Sequence, residues 1–316
     1  MSLINRLKQF KIAHWIYNLF HYKMLLHNRA AYRKYQIHKS LTSSISSKDF
    51  PDKESQAWLD KGNSADLVPK KAGFLSFPEK VQQQLLDWSD TGYLILPGLL
   101  DESTVQAVND GIDRLLHRKK LHFTHDGKLM FANRKSSLIR SVAEDKKLTG
   151  ILSFILDKDI RPFQTINFLK GSNQRAHSDS IHMTTYPLGY LVAAWIALED
   201  TNMQNGPLFY YPGSHRLPYL LNEGFNEGAT KFTLGKKDYP DYENALELLV
   251  SKGNFEKKVF LARAGDCFVW HANLVHGGLP VVNPSLTRKS MVIHYFAKDV
   301  IKYHEISERP SLLSKD

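Results

Sequence analysis

The 316-residue chain has a single cysteine, Cys267, so an intrachain disulfide is ruled out and a cysteine-ligated zinc site is excluded. A reducing compartment, the cytoplasm, is the expected location. Long hydrophobic runs are also missing. The longest, Tyr190 to Leu198, is less than half of the roughly 20 residues that a membrane-spanning helix needs. The start shows no secretory apolar core followed by a small-residue cleavage site, and the end, Leu-Ser-Lys-Asp, is not a peroxisomal Ser-Lys-Leu address. No Gly-x-Gly-x-x-Gly follows a strand, which argues against a dinucleotide-binding domain. Internal repeats and heptads are absent as well.

Acidic residues are missing from the first 48 positions, which hold nine Lys or Arg. This stretch carries nearly all of the net charge of +10, because the remainder has 33 bases against 32 acids. A body so close to neutral has no basic face to follow phosphates, and no nucleic-acid partner is expected. Within the basic segment, Ile12, Trp15, Ile16, Leu19 and Phe20 repeat at i, i+3, i+4, i+7, i+8, the stripe of an amphipathic helix. Arg6, Lys8, Lys11 and Lys23 flank it. Such a helix docks on a membrane or a partner, directs a chain to an organelle, or packs on its own protein. The chain therefore divides into a basic amphipathic arm over 1–48, a Ser-, Lys-, Asp- and Pro-containing linker over 49–75, and a folded domain over 76–316.

In that domain the patterns predict helices over 79–91, 102–120 and 137–156, a strand over 93–97 and a hairpin at Asp126-Gly127. Past residue 160 short strands take over: 163–170, 181–186, 190–199, 207–211, 257–262, 266–271 and 288–297, with one helix at 241–252. Helices first and many short strands after them predict a mainly β fold with packed helices, a sandwich or jelly roll.

The chemistry starts at His177-Ser-Asp179. Residues i and i+2 of an extended segment face the same side, so both side chains can reach one ion. The best third ligand is His276, beside Gly277-Gly278 and after a hydrophobic strand, with His271 as its substitute. His182 has the wrong parity to join His177 and Asp179, and His215 and His294 suit structural or supporting roles. Two imidazoles and one carboxylate on one face of an octahedron form the facial triad of non-haem iron(II) oxygenases. Three positions stay open, enough for a chelating oxo-acid and O₂, and the net positive charge favours an anionic co-substrate. Twelve residues beyond His276, Arg288 and Ser290 share one strand face. A guanidinium fork beside a hydroxyl is a suitable clamp for a carboxylate such as the distal one of 2-oxoglutarate.

Several ordered pieces carry a family resemblance. They are Gln164-Thr-Ile-Asn-Phe168, His177-Ser-Asp179, Ala194-Trp-Ile-Ala-Leu198, Asn205-Gly-Pro-Leu208, Pro212-Gly-Ser-His215, Gly265-Asp266, His276 and Arg288. Across roughly residues 75–300 the chain resembles the phytanoyl-CoA dioxygenase-like iron(II)/2-oxoglutarate oxygenases. The resemblance implies a double-stranded β-helix (a jelly roll, cupin-like) with N-terminal helices, and iron(II), 2-oxoglutarate and O₂ as cofactor and co-substrates. It implies iron ligation by His177, Asp179 and His276 and co-substrate binding by Arg288. Trp195 matches an aromatic beside the co-substrate, with a core tryptophan as the alternative, and Gln164 and Asn167 are expected along the pocket. Related halogenases replace the carboxylate with a small residue, so Asp179 implies hydroxylation of an unactivated C–H bond, releasing succinate and CO₂. The loops after residues 120, 180 and 215 are expected to line a pocket for a small-molecule or lipid-like substrate. The competing expectation is a non-catalytic jelly-roll module whose basic arm docks a membrane or partner.

Overall fold

Alternation along the strands beyond residue 160 organises the molecule. The computed structural model describes residues 9–52, 56–124, 126–222, 229–230, 232–235 and 237–313. Its strands are Tyr93–Leu96 (β1), Leu129–Met130 (β2), Ile160–Phe168 (β3), Thr184–Tyr186 (β4), Leu191–Ala197 (β5), Leu208–Tyr210 (β6), Lys258–Phe260 (β7), Cys267–His271 (β8), His276–Gly278 (β9), Ser290–Ala297 (β10), Ile301–His304 (β11) and Arg309–Pro310 (β12). The main sheet is antiparallel in the order β1-β8-β5-β10-β3-β2, and a smaller sheet, β7-β6-β9, belongs to the same barrel.

Parity decides which core each strand side enters. On β5, β8 and β10 one set of side chains, Ala193, Trp195, Phe268, Trp270 and Val292, packs with Leu208, Tyr210 and Phe260 of the smaller sheet. The alternate set, Ala194, Ile196, Val269, Met291 and Ile293, packs against helices on the outer face. This two-sided burial explains why β5 and β10 read as almost continuous apolar runs. The architecture is the expected double-stranded β-helix with helices packed on it.

The outer helices are Glu79–Leu86 (α3), Glu102–His117 (α4), Ser137–Ala143 (α5) and Lys146–Leu156 (α6), and Tyr239–Lys252 (α7) lies beside the smaller sheet. The helix expected over 137–156 is two, because the Asp145 carboxylate accepts a hydrogen bond from the Leu148 amide at 2.9 Å and starts α6 afresh. The stretch 79–91 also divides, α3 ending before a single turn, Trp88–Thr91, that closes at left-handed Gly92. The strand expected over 181–186 shortens to β4 because Asp179–Ile181 coil into a 3-10 turn.

The N-terminal segment contributes Lys11–Phe20 (α1) and Arg29–Lys34 (α2). Leu25, Tyr32, Ile45 and Phe50 form a core with Tyr186, Ile301 and Tyr303 on the third sheet, β12-β11-β4. In the stretch 49–75, expected as a linker, Leu59, Val68 and Phe74 join the large outer core. α1 is seated by its polar side. His14 and Asn18 are buried, Asn18 Nδ2 donates to the Thr42 carbonyl at 2.9 Å, and the apolar stripe faces outward. Among the described residues no helix is long and apolar enough to cross a membrane.

Candidate metal centre

Two segments distant in sequence meet at one end of the barrel. The loop after β3 runs back along β9, where the His177 amide donates to the His276 carbonyl and the His276 amide to the His177 carbonyl, both at 2.9 Å. Glycine makes this approach feasible. A Cβ at Gly277 would sit 2.5 Å from the Phe209 ring and 2.7 Å from the Gln174 carbonyl, and one at Gly278 would sit 2.5 Å from Ser172 Oγ. Gly277 and Gly278 are thus part of β9, paired with β6. Ser178 is extended, so His177 and Asp179 fall on one side as the spacing predicts, and the chain coils only from Asp179 onward. Ser178 points the other way, its hydroxyl 2.8 Å from those of Tyr242 on α7 and of Ser180.

One ligand atom from each of His177, Asp179 and His276 lies within 4.8 Å of the other two, and all three residues are buried. Each imidazole has its orientation fixed: His177 Nδ1 donates to the Arg175 carbonyl at 2.9 Å and His276 Nδ1 to the Leu274 carbonyl at 3.0 Å. That leaves Nε2 of both rings as the ligating atom. Burial lowers both imidazole pKa values, that of His177 to about 3, so both rings are neutral. Burial alone would raise the Asp179 carboxyl, but the imidazoles of His294, His276 and His177 outweigh it and hold the carboxyl well below its usual range. The site thus offers two neutral nitrogens and one carboxylate.

Two neighbours fix that carboxylate: His294, expected in a structural or supporting role, and Trp270, which the sequence reading did not assign to the site. Trp270 Nε1 donates to Asp179 Oδ2 at 2.8 Å, and His294 Nε2 lies 3.3 Å from the same oxygen. Gln164 Nε2 in turn donates to His294 Nδ1 at 3.3 Å. Trp270 was legible through parity, since it shares the inward face of β8 with Phe268. The other histidines separate from the triad. His271, one residue on and facing outward, sits 3.2 Å from Asp60 Oδ2 and accepts the Asn273 amide, which removes it as the third ligand. His182 lies 3.4 Å from His304 on the cavity wall, and His215 packs against His271.

The triad opens into a cavity of about 1070 Å³ that Gln164, Trp195 and Arg288 also line. Arg288 is 3 % exposed, with Nη1 donating to Ser290 Oγ at 3.1 Å and the guanidinium 5.6 Å from the ring centres of Phe168 and Trp195. Ser290 is fully buried and reaches the cavity through Arg288. Among the described residues no carboxylate lies within ion-pair distance of Arg288, its Nε has no partner, and burial lowers its pKa to about 10. Asn167 corrects the expectation. It stands opposite Leu129 and Met291 of the outer core, on the face of β3 turned away from the cavity, whereas Gln164, Ile166 and Phe168 face it. The far wall comes from both ends of the chain: His14, Tyr17 and Asn18 of α1, with His304 and Arg309.

A family model described as phytanoyl-CoA dioxygenase (PhyH) matches residues 88–290, more than half of the chain. An ectoine dioxygenase of Stutzerimonas stutzeri is 26 % identical over 247 residues, 71 % of this chain and 80 % of that protein. A phytanoyl-CoA dioxygenase domain-containing protein 1 of Danio rerio is 27 % identical over 109 residues, a match spanning only 33 % of that protein. Among solved structures, the non-haem α-ketoglutarate-dependent carbocyclase SnoK of nogalamycin biosynthesis superimposes with a TM-score of 0.58 at 17 % identity, covering 76 % of this chain and 89 % of that one. EctD from S. alaskensis, solved with 2-oxoglutarate and 5-hydroxyectoine, gives 0.55 at 18 % identity, covering 80 % and 86 %. Two imidazoles and one carboxylate are the donor set of non-haem iron(II) oxygenases. The chain belongs to the phytanoyl-CoA dioxygenase family and is a dioxygenase.

Proposed function

We propose that this enzyme hydroxylates an unactivated C–H bond of a small-molecule or lipid-like substrate, consuming 2-oxoglutarate and O₂ and releasing succinate and CO₂. His177, Asp179 and His276 hold iron(II), and Arg288 takes the distal carboxylate of 2-oxoglutarate. The observation that carries this reading is the buried Arg288 guanidinium, with no described carboxylate within ion-pair distance, in the same cavity as the three ligands. A buried cation is costly unless an anion joins it, and an anionic co-substrate supplies that partner. The donor set fits the metal, being neutral at both nitrogens and anionic at one oxygen.

Iron(II) chelated by 2-oxoglutarate supplies the activation of O₂, coupled to loss of CO₂ from the oxo-acid. The protein's part is orientation and exclusion of water. Trp270 and His294 keep Asp179 turned to the metal, and the Arg175 and Leu274 carbonyls fix the two rings. Ser290, Phe168 and Trp195 hold Arg288 in one pose, so the oxo-acid enters in one orientation. Met130, Phe163 and Met183 make much of the adjoining wall apolar, which suits a substrate with hydrocarbon to bury.

The test is turnover of 2-oxoglutarate by the iron-loaded enzyme across a substrate library, followed by product mass. A product heavier by one oxygen, with succinate formed in equal amount, is the expected result. A substrate-dependent product without added oxygen, such as a ring closure, would replace hydroxylation. No succinate from any substrate, with iron bound, would remove the proposal.

A further inference from the structure

α1 is seated the reverse of what its pattern suggests. His14 and Asn18 face the body, while Ile12 is 62 % exposed, Ile16 46 %, Leu19 46 % and Phe20 83 %, with Trp15 at 43 %. At 100° per residue these five centre on the side opposite His14, so the exposure is one continuous stripe. Phe10 and Tyr22 extend it at either end, and exposed Phe232 lies beside its start, where the Lys11 amide donates to the Phe232 carbonyl at 2.9 Å. An outward apolar face of this size marks an interaction surface.

We propose that α1 docks the enzyme on a phospholipid surface of net negative charge. Charge complementarity selects this occupant. The first 48 residues contain nine bases and no acid, and exposed Lys23, Arg29, Arg33 and Lys34 have no carboxylate partner among the described residues. A two-fold contact between copies through this face would bring two acid-free segments together, whereas anionic headgroups neutralise them. The apolar face enters the boundary between headgroup and acyl chain, a depth that suits Trp15 and Tyr22 in particular. The seat of the helix is firm without lipid, because Lys11 Nζ pairs with Glu308 at 2.5 Å and Asn18 is bonded to Thr42. α1 is also the partition between lipid and the cavity, since His14 and Asn18 line the cavity from its other side. The docking does not depend on which reaction the metal performs.

The test uses full-length protein sedimented with sucrose-loaded vesicles of phosphatidylcholine alone or mixed with phosphatidylglycerol, at low and high salt. Binding to the mixed vesicles is expected to be about tenfold or more stronger, to weaken with salt, and to be lost in Trp15→Glu/Phe20→Glu. Both positions are exposed and touch nothing in the cavity. The double variant is therefore expected to keep the parent's melting curve and its iron-dependent 2-oxoglutarate turnover, which separates lost docking from lost folding. Equal binding to both vesicle types would overturn the electrostatic half of the proposal. No binding to either, or a dimer in sizing experiments that the double variant abolishes, would overturn the whole. Failure of the turnover assay with vesicle binding intact would count against the oxygenase reading alone.

Discussion

Replacing Arg288 with Met should raise the stability of the metal-free protein while removing its affinity for 2-oxoglutarate. Arg288 is 3 % exposed and the only hydrogen bond of its guanidinium among the described residues goes to Ser290. Burial brings its pKa down to about 10, which corresponds to roughly 3 kcal/mol of penalty on the charged form. Met keeps the stem packed between Phe168 and Trp195 and relieves that penalty. It gives up the cation-ring contacts and one hydrogen bond, together about 1–2 kcal/mol. The net expectation is an apo protein more stable by about 1 kcal/mol. With 2-oxoglutarate the sign reverses. A buried, charge-assisted pair contributes about 3 kcal/mol or more, so affinity should fall between 10²- and 10³-fold. Urea denaturation of the apo forms gives the first quantity. Anaerobic titration of the iron-loaded forms, followed by the charge-transfer band of the chelate, gives the second. A variant that is less stable and still binds 2-oxoglutarate with parental affinity would refute the reasoning, because Arg288 would then be a structural cation.

Trp270→Phe keeps an aromatic ring in the inner core and removes only the 2.8 Å hydrogen bond to Asp179, so iron affinity should fall about 10- to 100-fold with the fold intact; unchanged affinity in a metal titration would count against an orienting role. His276→Ala should abolish metal binding, whereas His271→Ala should retain it and lose about 1–3 kcal/mol of stability through the orphaned Asp60 and Asn273 partners; the reverse pattern would exchange the ligand assignment. Burial holds His27 at about 4 and His215 at about 3, below the ordinary imidazole value of 6.5, so the folded chain stays unprotonated where the unfolded chain takes up protons. Stability should therefore be full above pH 6.5 and decline toward pH 4, by about 1.4 kcal/mol per pH unit for each such ring; a guanidinium midpoint unchanged between pH 7 and pH 5 would contradict it.

The barrel was readable because its strands bury both faces, leaving apolar runs such as Tyr190 to Leu198. The metal motif was readable because strand parity is local: extended Ser178 is enough to align His177 with Asp179. The same rule places Asn167 on the opposite face from the cavity. Gln164 and Asn167 stand three apart and cannot both face one side of a regular strand. His271 and His276 could not be separated by sequence alone, because the choice depends on β9 pairing with His177, a contact across 99 residues that two close-fitting glycines permit. For α1, periodicity reports that one face is apolar but not which face turns inward. That choice rests on Asn18 meeting Thr42 and Lys11 meeting Glu308, and neither partner is marked in the pattern.

The span that matches the family model and the span that shapes the far wall of the cavity are different parts of the chain. His177, Asp179, His276, Trp270 and Arg288 all lie within residues 88–290, the span that matches the family model. His14, Tyr17 and Asn18 of α1 and His304 and Arg309 at the C-terminal hairpin lie outside it and line the same cavity. Strand β11 ties these ends together, since Asn28 Nδ2 donates to the Lys302 carbonyl at 3.1 Å and the Lys302 amide donates to Asn28 Oδ1 at 3.0 Å. A substrate reaching the triad would meet barrel residues on one side and wall residues of the two chain ends on the other. It follows that exchanging the ends between family members should change substrate choice while 2-oxoglutarate binding stays with the barrel.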